Sequence, residues 1–486
     1  MRDLETTRKI VTLGVKCFLP LLMIFIMAAD YLSAVPADDI RLQPPEKIRF
    51  PALKFHLPRG ERLVMENGII IYFLEDHELP LIHIRALVKT GTIYDPEGQE
   101  GVAELTANVM RTGGTRDIKS DEIDERLDFV AAMAAVSMTR DSGHIDFTML
   151  NKDLDEGLGI LSQMILHPAF EQKKFDLAVE LKKEDLRRMK DKPVRFAFRE
   201  FNRLIYQDSA WGRFASLKSL AGIERSDLIE FHRRFFQPDN MIFAVSGDIT
   251  KTRLLDKFRQ YFGIWKKDGV LVKMPKPPQK IKPGVYCLPK DIPQSVIISG
   301  QFAPCKTSPD YFATTVLDFI TGSGGFSSRI MGAVRNREGL AYSAGSYYRA
   351  RRDFGILGAY ALTKTVSTMK TLELIKSVLD DIRRGSMSEK ELTWAKESIN
   401  NGFIFSFTTP DKILWQQIHL EYENLPADFL VHYRSRIASV ELADLSRIAA
   451  GYLDPEKSVI LILGDSKNFD RPARAGEKPV LITLPE

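Results

Sequence analysis

Two parts of this chain repeat at nearly the same spacing, and this repetition constrains the fold more than any other feature. The segment 236–248, FQPDNMIFAVSGD, is echoed by 453–465, LDPEKSVILILGD. A Leu-Pro pair at 79–80 and an Ile-Pro pair at 292–293 each precede an apolar run. Both echoes lie about 215 positions apart, and a repeat at one offset indicates a duplicated structural unit. The sequence therefore predicts one domain present twice.

A stretch rich in proline and lysine separates the two copies. Residues 274–283 read MPKPPQKIKP, a composition typical of a linker rather than of a core. A chain of 486 residues is long enough for at least two domains. The predicted divisions are a leader (1–37), an N-terminal extension (38–60), a first domain (61–267), a linker (268–283), a second domain (284–470) and a C-terminal tail (471–486).

Apolar patterns place strands and helices within the first copy. They do so without a strict strand–helix–strand alternation. Short apolar runs predict strands at 69–74, 82–88 and 144–150. Helical spacing predicts helices at 101–110, 120–129, 154–164 and 173–189.

The charge balance argues against a nucleic-acid partner. The 68 basic and 64 acidic residues give a formal net charge of +4 and are interspersed along the chain. Nucleic-acid binding proteins concentrate basic residues on one face. We therefore expect a mixed, solvated surface.

The N-terminus has the pattern of a secretory signal. Basic residues within 2–16 precede an apolar run at 17–29, and small residues within 33–37 offer processing sites. The run is short for a bilayer span, which needs about 20 residues. The sequence predicts a secreted or periplasmic protein. The alternative is an uncleaved N-terminal segment that anchors the protein in a membrane, and we expect contact with a membrane only in that case.

Cysteine content excludes a disulfide-rich scaffold. Cys17 lies in the leader, which leaves Cys287 and Cys305 in the mature chain. In an oxidising compartment these two either form one bridge or remain as two buried thiols.

From about residue 60 onward the chain resembles the pitrilysin/insulinase family of zinc peptidases, in its short, bacterial, processing-peptidase-like branch. The segments that carry the resemblance are 63–76, 90–115, 211–248 and 324–343. In active members each half is an α+β roll, and two halves close on a peptide like a clamshell. The resemblance thus implies an α+β fold with two tandem homologous α/β-roll domains.

The family's zinc motif is missing from the matching helix. Active members carry H-x-x-E-H, in which two His bind Zn²⁺ and the Glu activates the metal-bound water. Here Glu104 and Asn108 stand at the His positions, Ala107 stands at the Glu position, and the distant third ligand falls at Asp185. No two of the eight histidines have the i, i+4 spacing. We expect no zinc on this chain. Polar packing, or an all-oxygen Ca²⁺ or Mg²⁺ site at Glu104, Asn108 and Asp185, are the alternatives.

The second copy keeps what resembles the family's substrate-binding signature. Residues 324–343 read GGFSSRIMGAVRNREGLAYS, with Arg335 and Tyr342 seven positions apart. In active relatives the matching pair donates hydrogen bonds to the scissile carbonyl, a task that suits a guanidinium and a phenol. Arg329 is expected to position the helix. A surface arginine and a packed tyrosine are the structural alternative.

The resemblance implies a role shared with a second chain. Some short members are heterodimers in which one chain bears the zinc motif and the other the Arg/Tyr pair. This chain is expected to be the second kind, inactive alone, with zinc in a paralogous partner and a peptide or unfolded polypeptide as substrate. A sheet edge near 90–94 is the expected place for peptide strand addition. The alternative is a peptide-binding or assembly protein without cleavage; a self-sufficient hydrolase lacks a general base at Ala107.

Overall fold

The structure of the chain is a computed structural model that describes residues 55–268, 272–278, 280–470 and 479–482. The predicted leader, 1–37, and the extension up to residue 54 lie outside the described residues. Within the described residues, no helix has both the length and the apolar character that a membrane crossing requires.

The first half contains a six-stranded sheet in the order β1-β2-β6-β3-β5-β4. Its strands are β1 (Glu61–Val64), β2 (Ile70–Glu75), β3 (Leu81–Val88), β4 (Met133–Met138), β5 (Gly143–Leu150) and β6 (Met241–Gly247). Its helices are α1 (Val102–Thr112), α2 (Ser120–Phe129), α3 (Leu154–Leu166), α4 (Gln172–Met189), α5 (Pro193–Tyr206), α6 (Leu217–Ala221), α7 (Arg225–Phe235) and α8 (Lys251–Phe262). The strands and helices predicted in this half are confirmed, with ends shifted by at most two residues.

The second half contains another six-stranded sheet in the order β12-β7-β11-β8-β10-β9. Its strands are β7 (Gly284–Pro289), β8 (Gln294–Ala303), β9 (Ala341–Ala350), β10 (Gly355–Lys364), β11 (Val459–Gly464) and β12 (Val480–Leu481). Its helices are α9 (Tyr311–Asp318), α10 (Arg329–Met331), α11 (Thr368–Arg383), α12 (Glu389–Phe403), α13 (Pro410–Tyr422), α14 (Phe429–Ala438) and α15 (Leu442–Tyr452).

The two sheets have the same internal order. Strands β2, β6, β3, β5 and β4 of the first sheet correspond in sequence and position to β7, β11, β8, β10 and β9 of the second. The echoed segments end in β6 and β11, each of which pairs in parallel with the first of these strands and antiparallel with the third. The predicted duplication is therefore confirmed, and so is the α+β class with two tandem homologous domains.

Strands β6 and β11 are almost continuously apolar because helices cover both of their faces. In β6, Phe243 and Val245 face the helices of their own half. The alternate residues Ile242 and Ala244 pack instead against a helix of the second half, α13. Side chains alternate across a strand, so a strand covered on both faces reads as a continuous apolar run.

Each half sends one helix onto the sheet of the other half. Leu414 and Ile418 of α13 join the core of the first sheet. In the opposite direction, Phe201 of α5 packs into a core with apolar residues of β8 and β11 in the second sheet, namely Val296, Ile298, Val459, Leu461 and Leu463. Gly300 on β8 makes room for this helix, because a Cβ there would lie only 2.8 Å from the Phe201 ring. The exchange joins the two halves into a single packed body.

Three expectations are refined by the structure. Cys287 and Cys305 are both free, so the predicted alternative of a bridge between them is wrong. The predicted C-terminal tail includes β12, which pairs in parallel with β7. Part of the linker is packed, since the Trp211 indole N–H donates to the Pro275 carbonyl at 2.8 Å.

Candidate functional site

Arg335 and Tyr342 lie side by side at the edge of the second sheet. Arg335 belongs to a π-helical turn, Gly332–Arg337, that continues α10, and Tyr342 is the second residue of β9. The Arg335 guanidinium carbon is 4.7 Å from the centroid of the Tyr342 ring and 4.7 Å from that of Phe326. Seven positions apart in sequence, the two predicted residues are thus brought into contact. We call Phe326, Arg335 and Tyr342 the Arg–Tyr patch.

The Arg–Tyr patch faces solvent. Tyr342 is 81% exposed and Phe326 is 63% exposed, whereas most aromatic residues of the second half are buried or half-buried. Within the described residues Arg335 forms no ion pair with a carboxylate. Its charge and its N–H donors are therefore available to a ligand.

The segment that carries Arg335 is fixed from behind by Arg329. The Arg329 guanidinium donates to both carboxylate oxygens of Glu391, at 2.6 and 2.8 Å, and also to Ser386. These hydrogen bonds from Arg329 hold the pKa of Glu391 at about 2. Glu391 also caps α12 in a capping box with Ser388. The predicted positioning role of Arg329 agrees with these contacts.

In the first half, helix α1, which carries the predicted zinc-site positions, begins near a buried carboxylate. Asp95 accepts hydrogen bonds at 2.8 Å from the backbone N–H groups of Gly101 and Ala103, which opens α1. Burial raises the pKa of Asp95 to about 7. Asp95 could not be identified from the sequence, because it lies seven positions before the first residue of α1 and not at its N-cap, which is Gly101.

The predicted zinc-site positions lie in unequal environments. The Glu104 carboxylate is 2.8 Å from the Lys182 ammonium of α4, Ala107 is buried and Asn108 is exposed. Asp185, the predicted third position, pairs instead with Arg195 of α5 at 3.3 Å. Helix α4 thus presents Lys182, not Asp185, to Glu104.

These residues do not fit a zinc ion. An ammonium occupies the space beside Glu104 where a cation would have to bind, and like charges repel. Ala107 supplies no carboxylate to activate water. In the described part of the chain, no three His, Cys, Asp or Glu side chains group closely enough to hold a metal ion. The ammonium argues equally against Ca²⁺ or Mg²⁺ at Glu104.

A cavity of about 370 Å³ lies beside Glu104 and Lys182, and we call it the cationic cavity. It opens beside the first turn of α1 and the last residue of β4, Met138. Its carboxylates are Asp95 and Glu104. Its cationic side chains are more numerous: Arg140, Lys182, Arg195, Arg199 and Arg213.

The expected substrate-binding edge at 90–94 is wrong. Residues Thr92–Tyr94 form a short 3-10 turn, with Ile93 buried in a core shared with the second sheet. The short run of apolar and β-branched residues favours a strand locally, but the chain turns here toward α1 after the antiparallel β3. The sheet edges are β1 and β4 in the first half and β12 and β9 in the second.

Two family models match the chain. One, described as insulinase (peptidase family M16), matches residues 74–214, and the other, described as the peptidase M16 inactive domain, matches residues 222–399. The chain belongs to the insulinase (M16) family. The predicted family is confirmed.

Curated relatives of this M16 chain are distant in sequence. An uncharacterized zinc protease of Rickettsia felis is 22% identical over 348 residues, which cover 70% of this chain and 82% of the relative. The protein called non-peptidase homolog YmxG of Helicobacter pylori is 22% identical over 417 residues, which cover 83% and 94%.

Solved structures share the fold of this M16 chain. A peptidase M16 inactive domain from Pseudomonas fluorescens superposes with a TM-score of 0.77 at 21% identity, covering 87% of this chain and all of that one (100%). A protease from Helicobacter pylori has a TM-score of 0.74 at 19% identity, covering 84% and 100%. At these identities the likeness establishes the two-domain fold.

Proposed function

We propose that this M16 chain is the non-zinc subunit of a secreted heteromeric zinc endopeptidase, in which Arg335 and Tyr342 bind the scissile carbonyl of a peptide. The observation that carries the proposal is the Arg–Tyr patch. Within the described residues, a guanidinium without a carboxylate partner and a phenol lie in contact on an exposed sheet edge. A merely structural arginine and tyrosine would be paired or packed.

The chemistry assigned to the patch is donation of hydrogen bonds. As a nucleophile adds to a peptide carbonyl, negative charge develops on the oxygen, and donors already in position stabilise it. Arg335 contributes N–H donors and a fixed positive charge, while Tyr342 contributes one O–H donor. Activation of the water would be supplied by zinc held on the partner chain. Among the described residues of this chain none is assigned that step, because Ala107 stands at the position of the base.

The partner is a paralogous chain with an intact H-x-x-E-H. The exchange of α5 and α13 between the sheets argues for a second chain. Because the two domains of this chain share cores, they form one side of a clamshell together, and a second chain would form the other side. The open strand β9 offers backbone groups for an extended peptide beside Tyr342. The secretory pattern within 1–37 supports action outside the cytoplasm, on a peptide or an unfolded segment.

A second function also has support in the structure. The Lys182–Glu104 pair and the name of the Helicobacter pylori relative, non-peptidase homolog, favour a protein that binds peptide without any cleavage. A protein of that kind would not need an arginine without a carboxylate partner in the Arg–Tyr patch. Its peptide affinity should be unchanged by chelators and by substitutions in the patch.

Hydrolysis of a quenched fluorescent peptide separates the two functions. The assay compares this chain, the H-x-x-E-H paralogue and their mixture, with Arg335→Ala and Tyr342→Phe versions of this chain. We expect cleavage only in the mixture, loss of cleavage with a chelator, and a decrease in kcat/KM of about 100- to 1,000-fold for each substitution. Arg337→Ala is the matched control, because Arg337 is exposed on the same turn. Full activity of the paralogue alone, unchanged by this chain, would refute the shared site.

A further inference from the structure

The cationic cavity carries more positive charge than its own carboxylates can balance. Both oxygens of Asp95 already accept backbone N–H groups, and Glu104 is paired with Lys182. Arg195 is paired outside the cavity, with Asp185, and Arg213 lies 3.7 Å from the exposed Glu97. Two guanidinium groups remain to be accounted for.

Arg140 and Arg199 donate their hydrogen bonds to neutral groups. Arg140 donates at 2.9 Å to Thr92 Oγ1 and to the carbonyl oxygens of Ala210 and Arg213, and it lies 4.4 Å from the Phe214 ring centroid. Arg199 donates to the Ala215 carbonyl at 2.7 Å and lies 5.6 Å from the same ring. Neither makes a hydrogen bond to a carboxylate in the described residues.

Arg199 also has a donor to spare. Its Nε is buried and, among the described residues, lacks a hydrogen-bond partner, since the nearest carboxylate oxygen, on Glu200, is 3.8 Å away. A buried N–H without a partner costs about 1–3 kcal/mol. Burial lowers the pKa of Arg199 and lowers that of Arg140 to about 10, as expected for cations that lack a full counter-charge.

We propose that the cationic cavity binds a carboxylate group carried by a polypeptide, with Arg199 and Lys182 as its donors. A guanidinium and an ammonium are the usual partners of a carboxylate, and hydrogen bonds between charged groups are the strong ones. A volume of about 370 Å³ lies near the lower end for ligand sites and suits one acidic residue or one chain terminus. Met138, the last residue of the edge strand β4, lines the cavity, so the cavity lies at one end of a sheet edge.

This site is separate from the Arg–Tyr patch and uses residues of the first half only. It therefore stands or falls independently of the shared-site proposal. It also gives Glu104 a role opposite to that of a metal ligand: its carboxylate competes with the incoming carboxylate for Lys182.

Fluorescence anisotropy with the full chain tests the proposal. The probes are one labelled neutral peptide with a free C-terminal carboxylate, the same peptide amidated, and amidated versions with an internal Glu or Gln. We expect at least one carboxylate peptide to bind about tenfold or more tightly than its neutral counterpart. The first pair identifies a chain terminus and the second pair an acidic side chain. Equal affinities in both pairs would overturn the proposal.

Substitutions in the cavity should change the affinity for a carboxylate peptide in opposite directions. Lys182→Gln and Arg199→Gln should weaken carboxylate binding about tenfold, and Glu104→Gln should strengthen it several-fold by removing the competitor. Arg188→Gln is the matched control, because Arg188 lies on the same helix and pairs with Glu184 at the surface. The Glu104→Gln result is informative even if Arg199→Gln fails to fold. Weaker binding by Glu104→Gln, or displacement of the peptide by an equal concentration of inorganic phosphate, would refute the carboxylate site.

Discussion

The two halves of this chain have the same sheet order, but they differ in the segment that follows β3 in the first half and β8 in the second. In the first half that segment is a short 3-10 turn followed by two regular helices, α1 and α2, and Glu104 of α1 is paired with Lys182. In the second half it is broken into α-helical, 3-10 and π-helical turns between 311 and 337, with Gly324 and Gly325 in the middle. Helix α1 presents a carboxylate held in an ion pair, whereas the irregular segment presents the exposed Arg–Tyr patch. Packing preserves a fold through many apolar positions, but a site depends on a few polar ones.

The largest effect should come from breaking the exchange of helices that joins the halves. Phe201→Ala on α5 removes a buried aromatic ring from the second sheet, so we expect the free energy of unfolding to fall by about 3–5 kcal/mol. Leu414→Ala on α13 should lower it by about 2–5 kcal/mol through the first sheet. Urea denaturation followed by fluorescence gives both values.

The exposed Phe405 provides the control for this pair, since Phe405→Ala should change stability by less than about 0.5 kcal/mol. Because each helix belongs to one half and packs on the other, we expect a single cooperative transition in all three variants. Two separate transitions in the wild-type chain would show that the halves unfold independently.

A second prediction compares the buried carboxylates of the two halves. Burial raises the pKa of Asp95 to about 7 and that of Asp318 to about 6. A carboxyl with a folded pKa above its unfolded value keeps its proton to higher pH when folded. The contribution of such a carboxyl to the free energy of unfolding is complete below about pH 4 and is lost as the pH rises through the folded pKa. Asp95→Asn should remove a decline of roughly 2–4 kcal/mol between about pH 4 and 8.

Asp318→Asn should remove a smaller decline, which ends near the folded pKa of about 6. The measured quantity is the difference in unfolding free energy between variant and wild type at each pH, because other titrating groups cancel in it. A difference that stays constant from about pH 4 to 8 would contradict the prediction for either residue.

A third prediction asks how far the first half is from a zinc site. Replacing Glu104 by His, Ala107 by Glu and Asn108 by His restores the motif but leaves the Lys182 ammonium beside it. We expect zinc affinity, measured by competition with a chromophoric chelator, to rise by about 100-fold when Lys182→Glu is added, since a ligand replaces a like charge. Asp185→Asn in the restored chain should have no effect. If Asp185→Asn weakens binding instead, the predicted third position is right and Lys182 is not at it.

Local pattern was sufficient to predict the duplication and most elements of the first half, because these depend on a sequence repeat and on apolar periodicity. The pair Arg335 and Tyr342 was predicted from the resemblance of one short string to a family motif, and its contact was not predicted. Neither kind of reasoning could predict the cationic cavity. Arg140 comes from the turn between β4 and β5, Arg199 from α5 and Arg213 from a loop, and only tertiary packing brings them together. The same holds for Lys182, whose side chain reaches Glu104 because of how α4 is rotated on its neighbours. The 3-10 turn at Thr92–Tyr94 was misassigned because a strand and a turn share its residue types.

The smallest predicted effect concerns how the second half keeps its patch in place. Arg329 does not touch the proposed substrate; it positions the turn that carries Arg335 through Glu391. Arg329→Gln and Glu391→Gln should each lower kcat of the mixed enzyme by about tenfold with little change in KM, because a misplaced donor weakens the transition state more than the ground state. Arg329 holds the pKa of Glu391 at about 2, so both residues stay charged and the loss of kcat should be the same from about pH 5 to 8.

The double variant should lose no more activity than either single one, and Lys390→Gln, at an exposed neighbouring position, should lose none. Additive losses, or a loss that varies across that pH range, would mean that Arg329 and Glu391 do not act as a unit. The position of the turn that carries Arg335 would then have to be fixed by the glycine-rich segment itself.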